Sequence, residues 1–199
     1  MSSHYIVRED QAPALVIYQS WAVTDHVILS LLEWNPLVVV EESSLSFVLH
    51  NRINVDAVIL NQMNEADVNE LLGYQQPYEL IAACEFPVKL ADYLVSQGSK
   101  AVDLIGEFDL STIKLAQTME SNFPVFIYAD HMKYIHLRQG FFRKWSSPGR
   151  GFTIVPGEYE SDVEFMNLES VGNGNYKVRK EGMVEIKTNA PVWVGEVIS

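Results

Sequence analysis

The residues of this chain most able to do chemistry stand in two neighbouring stretches past the middle of the sequence. In the first, Asp130, His131 and His136 follow an apolar run, and imidazoles with a carboxylate are typical ligands of a divalent metal. His131 and His136 are five residues apart, however, so in an extended chain they point to opposite faces. The spacing favours a polar loop, and we expect no metal site.

The second stretch, residues 138–150, is cationic and aromatic. It has four basic residues, no acidic residue and three aromatic rings, a composition that can bind an anion or stack on a planar ring. The same charge also suits contact with the acidic part of the chain or with a second subunit. The residues that we expect in such an anion or partner contact are Arg138, Arg143, Lys144 and Trp145.

Spacing motifs of the common enzyme classes are absent from the sequence. It has no Gly-x-Gly-x-x-Gly or Gly-Lys-Ser/Thr phosphate loop, no Gly-x-Ser-x-Gly elbow and no His-Glu-x-x-His helix. Cys84 is the single cysteine, so one chain cannot form a disulfide or a cysteine-based metal site. Its apolar surroundings predict a buried structural thiol.

The overall charge restricts the class of partner. Acidic residues outnumber basic ones by 26 to 14, for a formal net charge of −12. Nucleic acids and anionic membranes are both bound through Lys and Arg, so we expect neither as a partner. The longest apolar stretch is interrupted by polar residues and a proline, and the first ten residues lack the basic leader and apolar core of a signal peptide. We therefore expect a cytoplasmic protein.

The elements that must position these residues change type along the chain. The first two thirds alternate continuous Val, Ile and Leu runs, such as Leu37 to Val40, with amphipathic segments that Asn64 and Asp109 are predicted to cap. Continuous apolar runs are typical of strands buried on both faces of a parallel sheet. This alternation predicts an α/β fold, a doubly wound and mostly parallel sheet with helices on both faces.

From about residue 135 the helical periodicity disappears. Short β-rich runs then alternate with Gly, Pro and Asn clusters, which predicts a small all-β sandwich. The charge divides at the same place, because residues 1–134 hold 18 acidic and 6 basic side chains whereas residues 135–199 hold 8 of each. We therefore expect two domains, 1–134 and 135–199.

This order of domains resembles the thiamine pyrophosphokinase family, whose members transfer a diphosphoryl group from ATP to thiamine. Three segments are similar as well: Ile53 to Ile59 resembles the family's His/Ile-Pro-Asp-x-Ile-Ile segment, Leu90 to Gly106 its central helix and Gly-ending strand, and Asn175 to Ile186 its Ser-Asn-Glu segment and next strand. The resemblance implies a nucleotide-binding-like domain over 1–134, a thiamine-binding-like sandwich over 135–199, and a homodimer.

The family's catalytic motifs are degraded in this sequence. Its Asp-x-Asp-Ser segment, which holds magnesium and phosphates, corresponds here to Asn61-Gln62-Met63-Asn64, so an amide and a thioether replace the carboxylates that Mg²⁺ requires. Of Thr-Asp-x-x-Lys only Lys89 matches, and Gly-x-x-Gly-x-Arg-x-Asp-His keeps Asp109 but loses its Arg and His. In the Ser-Asn-Glu segment only Asn175 matches.

The resemblance therefore implies a thiamine-pyrophosphokinase-like protein that keeps the fold and a pocket for a thiamine- or nucleotide-like ligand, without catalysis and without a cofactor. The pocket would lie at the carboxyl ends of the strands and toward the β domain. The ligand-binding residues that the resemblance implies are Asn61, Asn64, Lys89, Asp109 and Asn175.

Two alternatives remain open. One is an active diphosphokinase that uses Mg²⁺ and ATP through displaced acids such as Glu65, Asp67 or Glu85. The other is a non-catalytic interaction or scaffold protein, in which the cationic aromatic stretch contacts a partner chain.

Overall fold

A computed structural model of the protein describes residues 13–82, 84–156 and 162–198. The chain divides into two compact units, Met1–Asp130 and His131–Ser199. Among the described residues, no helix has the length and apolar character needed to cross a membrane.

As far as the structure describes it, the first unit is built on six parallel strands in the order β6-β5-β1-β2-β3-β4. Nearly every residue of the inner strands is buried, which explains their unbroken runs of Val, Ile and Leu. The strands are β1 (Ala14–Ile17), β2 (Val38–Glu41), β3 (Ala57–Leu60), β4 (Glu79–Ala82), β5 (Val102–Ile105) and β6 (Val125–Ala129).

Within the described residues five helices connect these strands, and α4 and α5 pack together. Because parallel crossovers are almost always right-handed, the strand order implies that α1, α2 and α3 lie on one face of the sheet and α4 and α5 on the other. The predicted doubly wound α/β fold is confirmed. The helices are α1 (Asp25–Leu32), α2 (Leu45–His50), α3 (Glu65–Leu72), α4 (Val88–Ser96) and α5 (Leu110–Met119).

The order of the strands reverses between β1 and β5. From β1 the chain moves outward through β2, β3 and β4, and then returns to add β5 on the other side of β1. Open α/β sheets bind ligands outside the carboxyl ends of the strands at such a switch point. The loops that follow β1, β2, β3 and β5 are therefore the first place to look for a site.

The second unit is all-β, as predicted. Its strands form two antiparallel sheets, ordered β11-β12-β9-β14-β7 and β10-β13-β8, and residues of both, such as Phe152 and Ile186, form one hydrophobic core. The strands are β7 (Met132–Leu137), β8 (Gly140–Ser146), β9 (Gly151–Pro156), β10 (Val163–Met166), β11 (Leu168–Gly172), β12 (Asn175–Val178), β13 (Gly182–Thr188) and β14 (Val192–Val197).

One local prediction is wrong. Cys84 is exposed, not a buried structural thiol, because β4 ends at Ala82 and Cys84 itself lies in a turn. The apolar run in the sequence is therefore longer than the strand that it encodes.

Candidate functional site

The loops at the switch point are joined to each other by side chains. Gln19, after β1, accepts a hydrogen bond through Oε1 from the backbone N–H of Glu107, after β5, at 2.7 Å. The indole N–H of Trp21 donates to Glu107 Oε1 at 3.0 Å, and the ring of Tyr18 stacks on that of Phe86 with centroids 5.9 Å apart. Aromatic rings and carboxylates therefore surround the point where the strand order reverses.

The charge of this region is negative. Burial raises the pKa of the Tyr18 hydroxyl, and the nearby carboxylates of Glu41 and Asp109 raise it further. Glu41 is itself buried and accepts hydrogen bonds from the backbone and hydroxyl of Ser43. In the described part of the chain, the carboxylates of Glu41, Glu107 and Asp109 accept hydrogen bonds from local donors, and no ion pair to them is seen.

The loops after β2 and β3 are joined by an arrangement that we name the Glu42 clasp. The Glu42 carboxylate accepts the backbone N–H groups of Asn61 and Met63 through Oε2, at 2.7 and 2.9 Å, and that of Gln62 through Oε1 at 2.7 Å. Three successive N–H groups turned to one point form an anion-binding nest, and here the chain's own carboxylate fills it.

The clasp forms because β2 and β3 are neighbours in the sheet, so the turn Glu42–Ser44 that follows β2 lies beside the loop after β3. Burial, the largest single influence, works to raise the pKa of Glu42, but the three backbone donors together hold that pKa below its ordinary value. Glu42 was not among the residues predicted from the sequence. The position of Glu41 and Glu42, directly after an apolar run, was a signal that could have pointed to it.

Asn61 and Asn64, two of the predicted ligand-binding residues, stand in the loop after β3. Asn61 gives its backbone N–H to the clasp. Asn64 is the N-cap of α3: its Oδ1 accepts the N–H of Asp67 at 3.0 Å, and its Nδ2 donates to Asp67 Oδ2 at 2.8 Å. Both polar groups of the Asn64 side chain are thus used in capping α3.

Lys89 and Asp109 also have local partners. Lys89, in the first turn of α4, forms an ion pair with Glu85 at 2.8 Å, and this hydrogen bond raises the Lys89 pKa. Asp109 is the N-cap of α5 and accepts the N–H of Thr112 at 2.9 Å and the Ser111 hydroxyl at 2.8 Å. The backbone hydrogen bond from Thr112 is the main reason why the pKa of Asp109 is lowered.

Among the described residues, no hydrogen bond or ion pair joins any of these four residues to another. Asn61 follows β3 and Asp109 follows β5, and β2 and β1 lie between those strands, which separates the two positions by about 14 Å at the usual strand spacing. Asn175, the fifth predicted residue, lies in the second unit on β12, where its Oδ1 accepts the Thr153 hydroxyl at 2.6 Å.

The cationic aromatic stretch forms β8 and the turn that follows it. Lys144 and Arg150 both form ion pairs with the buried carboxylate of Glu196 on β14, each at 2.6 Å. Arg143 pairs with Glu185 on β13 and lies over the ring of Phe141.

The side chains of this stretch are therefore largely engaged within the second unit. Arg138 also has interactions, whereas Trp145 is 64% exposed. An anion or partner contact for Arg138, Arg143, Lys144 and Trp145 stays a prediction, with Trp145 as the member best placed for it.

A cleft of about 430 Å³ lies in the second unit. Its walls include the rings of Phe165 on β10 and Tyr176 on β12, whose centroids are 4.3 Å apart, together with Ile154 and Gly174. A Cβ on Gly174 would lie 2.8 Å from the Ile154 carbonyl oxygen, so this close approach requires glycine. None of the described residues that line the cleft is charged.

Over the parts of the chain that the structure describes, no group of three or more His, Cys, Asp or Glu side chains is placed to hold a metal ion. Asp130 adopts a left-handed backbone conformation and donates its N–H to the carbonyl of Ala22. His136 stacks on Trp193 with centroids 4.7 Å apart.

Solved structures of thiamine pyrophosphokinases are similar to this chain over almost its whole length. The Bacillus subtilis enzyme has a TM-score of 0.64 at 8% identity, with 94% of this chain and 99% of that chain covered. The Candida albicans enzyme has a TM-score of 0.64 at 9% identity (94% and 90% covered), and the yeast enzyme 0.61 at 9% identity (96% and 88% covered).

Neither a protein-family model nor a curated protein matches the sequence. The similarity is therefore one of architecture. The chain has the fold of the thiamine pyrophosphokinases, an α/β unit followed by an all-β unit, and the resemblance noted in the sequence is confirmed at the level of the fold.

Proposed function

We propose that this chain is a thiamine-pyrophosphokinase-like protein that does not transfer diphosphate but retains a site for a small ligand. The observation that carries the proposal is the Glu42 clasp. Phosphoryl transfer depends on bound metal and on donors that neutralise the charge of the phosphates. In this chain the three N–H donors of the loop after β3 are taken by Glu42, whose negative charge repels an incoming phosphate.

The side chains at this loop do not fit a magnesium ion, which takes anionic oxygen ligands. Asn61 offers an amide and Met63 a thioether, while both oxygens of Glu42 accept backbone N–H groups. Of the acids that could have replaced the lost ligands, Asp67 is hydrogen-bonded to Asn64 and Glu85 is paired with Lys89, which leaves Glu65 in the first turn of α3 as a single carboxylate. The proposed function therefore includes no metal-dependent step.

The retained ligand site that we propose is the cleft of the second unit. Asn175 and Tyr176 are consecutive on β12, so their side chains point to opposite faces of the strand. Tyr176 and the preceding Gly174 line the cleft, while Asn175 accepts a hydrogen bond from Thr153. An uncharged cleft with a pair of closely packed aromatic rings in its wall offers an apolar surface against which a flat ring can pack. In this proposal Tyr176 and Phe165 contact the ligand and Asn175 supports the turn beside it.

Catalysis is tested by incubating the purified protein with ATP, Mg²⁺ and thiamine and measuring AMP and thiamine diphosphate, with the Bacillus subtilis enzyme as positive control. We expect no product above the protein-free background. Clear turnover would contradict the proposal and support the alternative hypothesis of an active diphosphokinase that uses displaced acids.

Ligand binding is tested by thermal shift with thiamine, its phosphates and nucleotides. We expect a ring-bearing compound to raise the melting temperature of the wild-type protein but not of Tyr176→Ala. The matched control is Tyr74→Ala, which alters an exposed tyrosine of the first unit and should respond like wild type. If none of these compounds stabilises the wild-type protein, the proposal of a retained ligand site is contradicted.

We also propose a cytoplasmic homodimer, as the resemblance implies. Light scattering after size-exclusion chromatography should give twice the chain mass of 22.5 kDa, and the monomer mass would contradict it. If the exposed Trp145 lies in the dimer contact, Trp145→Ala should elute later than wild type.

A further inference from the structure

A second cleft lies at the opposite, amino-terminal edge of the parallel sheet. It has a volume of about 560 Å³ and is formed by the end of α1, the start of β2 and the segment between α2 and β3. The leucines of one wall are Leu29, Leu32 and Leu37, and Arg52, Asn54 and Asp56 supply polar groups. Nothing in the proposed function uses this edge of the sheet.

Arg52 occupies an unusual position. It follows the last turn of α2 with φ +55°, its N–H bonds to the carbonyl of Leu49, and the N–H of Ile53 bonds to that of Val48. Glycine is the usual residue at this left-handed helix end, and any other L-residue is less stable there. The folded protein is therefore expected to be less stable with arginine at this position than with glycine.

The Arg52 guanidinium has no hydrogen-bond or ion-pair partner among the described residues. Asp56, on the same cleft, directs Oδ2 to the N–H of Val38 at 2.7 Å. The acid is thus held by the backbone at the start of β2, and the arginine remains available to a ligand. This differs from the ion-paired arginines of the second unit, Arg143 and Arg150.

The apolar wall is also incompletely covered. Leu29 is 41% exposed, and Leu32 and Leu37 are half-buried. Covering such surface with an apolar group is favourable in proportion to the area removed from water. The cleft therefore combines one unpaired cation with an apolar wall.

We propose that this cleft binds a small organic carboxylate with an apolar body. The planar fork of a guanidinium matches the two oxygens of a carboxylate, and the body of the ligand covers the leucines. The single positive charge and the neighbouring Asp56 favour a monoanion over a phosphate dianion, because a second negative charge would be repelled by the aspartate.

The test is a titration of the ¹⁵N-labelled protein with hexanoate, followed by the backbone amide signals around the cleft, with hexanamide as the uncharged analogue. We expect saturable shifts with hexanoate, and binding weaker by about tenfold or more with hexanamide and in Arg52→Gln. The matched control is Arg179→Gln, an exposed arginine of the second unit, which should bind hexanoate like wild type.

Three results would overturn the proposal: no saturable shift in the wild-type protein, equal binding of hexanamide, or undiminished hexanoate binding in Arg52→Gln. A second variant guards against misfolding. Arg52→Gly should raise the melting temperature, because glycine suits the left-handed backbone, and should also lose the response to hexanoate. A glycine variant that binds hexanoate like wild type contradicts the proposal independently.

Discussion

Several carboxylates of the first unit are engaged differently from those of the second unit, although the first unit also contains the exposed ion pair of Glu85 with Lys89. At the loops of the first unit, Glu42 and Asp109 accept backbone N–H groups. In the second unit, Glu196 and Glu185 pair with lysine and arginine side chains from other strands. A backbone donor is neutral, so a carboxylate held in the first way needs no cation beside it.

This difference accounts for part of the uneven charge of the chain. The net −12 lies entirely in residues 1–134, whereas residues 135–199 are balanced. Acids that cap helices and join loops leave their charge uncompensated, while acids that join strands bring basic partners with them. In the first unit the excess acidity therefore includes side chains with structural roles, and it is no sign of a metal centre.

Among the carboxylates of the two units, we expect the largest loss of stability on substitution at Glu196, which is held by ion pairs. Glu196→Gln leaves Lys144 and Arg150 without their buried carboxylate, and we expect a loss of about 2 kcal/mol in the free energy of unfolding, less than for a fully buried pair because both cations are partly exposed. Urea denaturation measures it. The control is Glu164→Gln, which removes an exposed ion pair with Lys187 and should cost below about 0.5 kcal/mol. Equal losses in the two variants would contradict a special contribution of the buried Glu196 carboxylate.

The next effect is expected at the Glu42 clasp. Glu42→Gln removes the charge that strengthens three hydrogen bonds, and we expect a loss of about 1.5 kcal/mol, limited by the partial exposure of the site. Glu70→Gln, an exposed acid on α3, is the matched control and should be close to neutral. A clasp variant as stable as this control would show that the carboxylate is dispensable.

The Glu42 clasp also predicts a pH dependence with a definite sign. Since the folded protein lowers the pKa of Glu42, its contribution is complete above the unfolded value of about 4.3 and is lost as the pH falls through the folded pKa. The stability difference between wild type and Glu42→Gln should therefore be full at neutral pH and shrink in acid. Denaturation curves at several pH values test this, and a difference independent of pH would contradict it.

The smallest effect is expected at the cap of α5. Asp109→Ala should cost about 1 kcal/mol because the N–H of Thr112 loses its acceptor. Asp109→Asn keeps an acceptor and should remain within a few tenths of a kcal/mol of wild type. If both variants lose the same stability, the charge of Asp109 and not its capping bond is what stabilises the helix.

The features that could be predicted from the sequence were those with a local cause. Continuous apolar runs located all six strands of the parallel sheet, and Asn64 and Asp109 cap the helices for which they were predicted. The ion pairs of β8 could not be predicted, because the sequence does not show that Glu185 and Glu196 lie opposite its cations. The Glu42 clasp was missed for the same reason: it depends on β2 and β3 being neighbours in the sheet.

The Glu42 clasp also has a consequence for motion. One side chain carries the hydrogen bonds of three successive amides, so a single rotation of Glu42 away from the loop releases Asn61, Gln62 and Met63 together. Hydrogen exchange at these amides is then governed by one common opening equilibrium. We therefore expect these three amides to exchange with similar protection factors, and all three to lose protection together in Glu42→Gln.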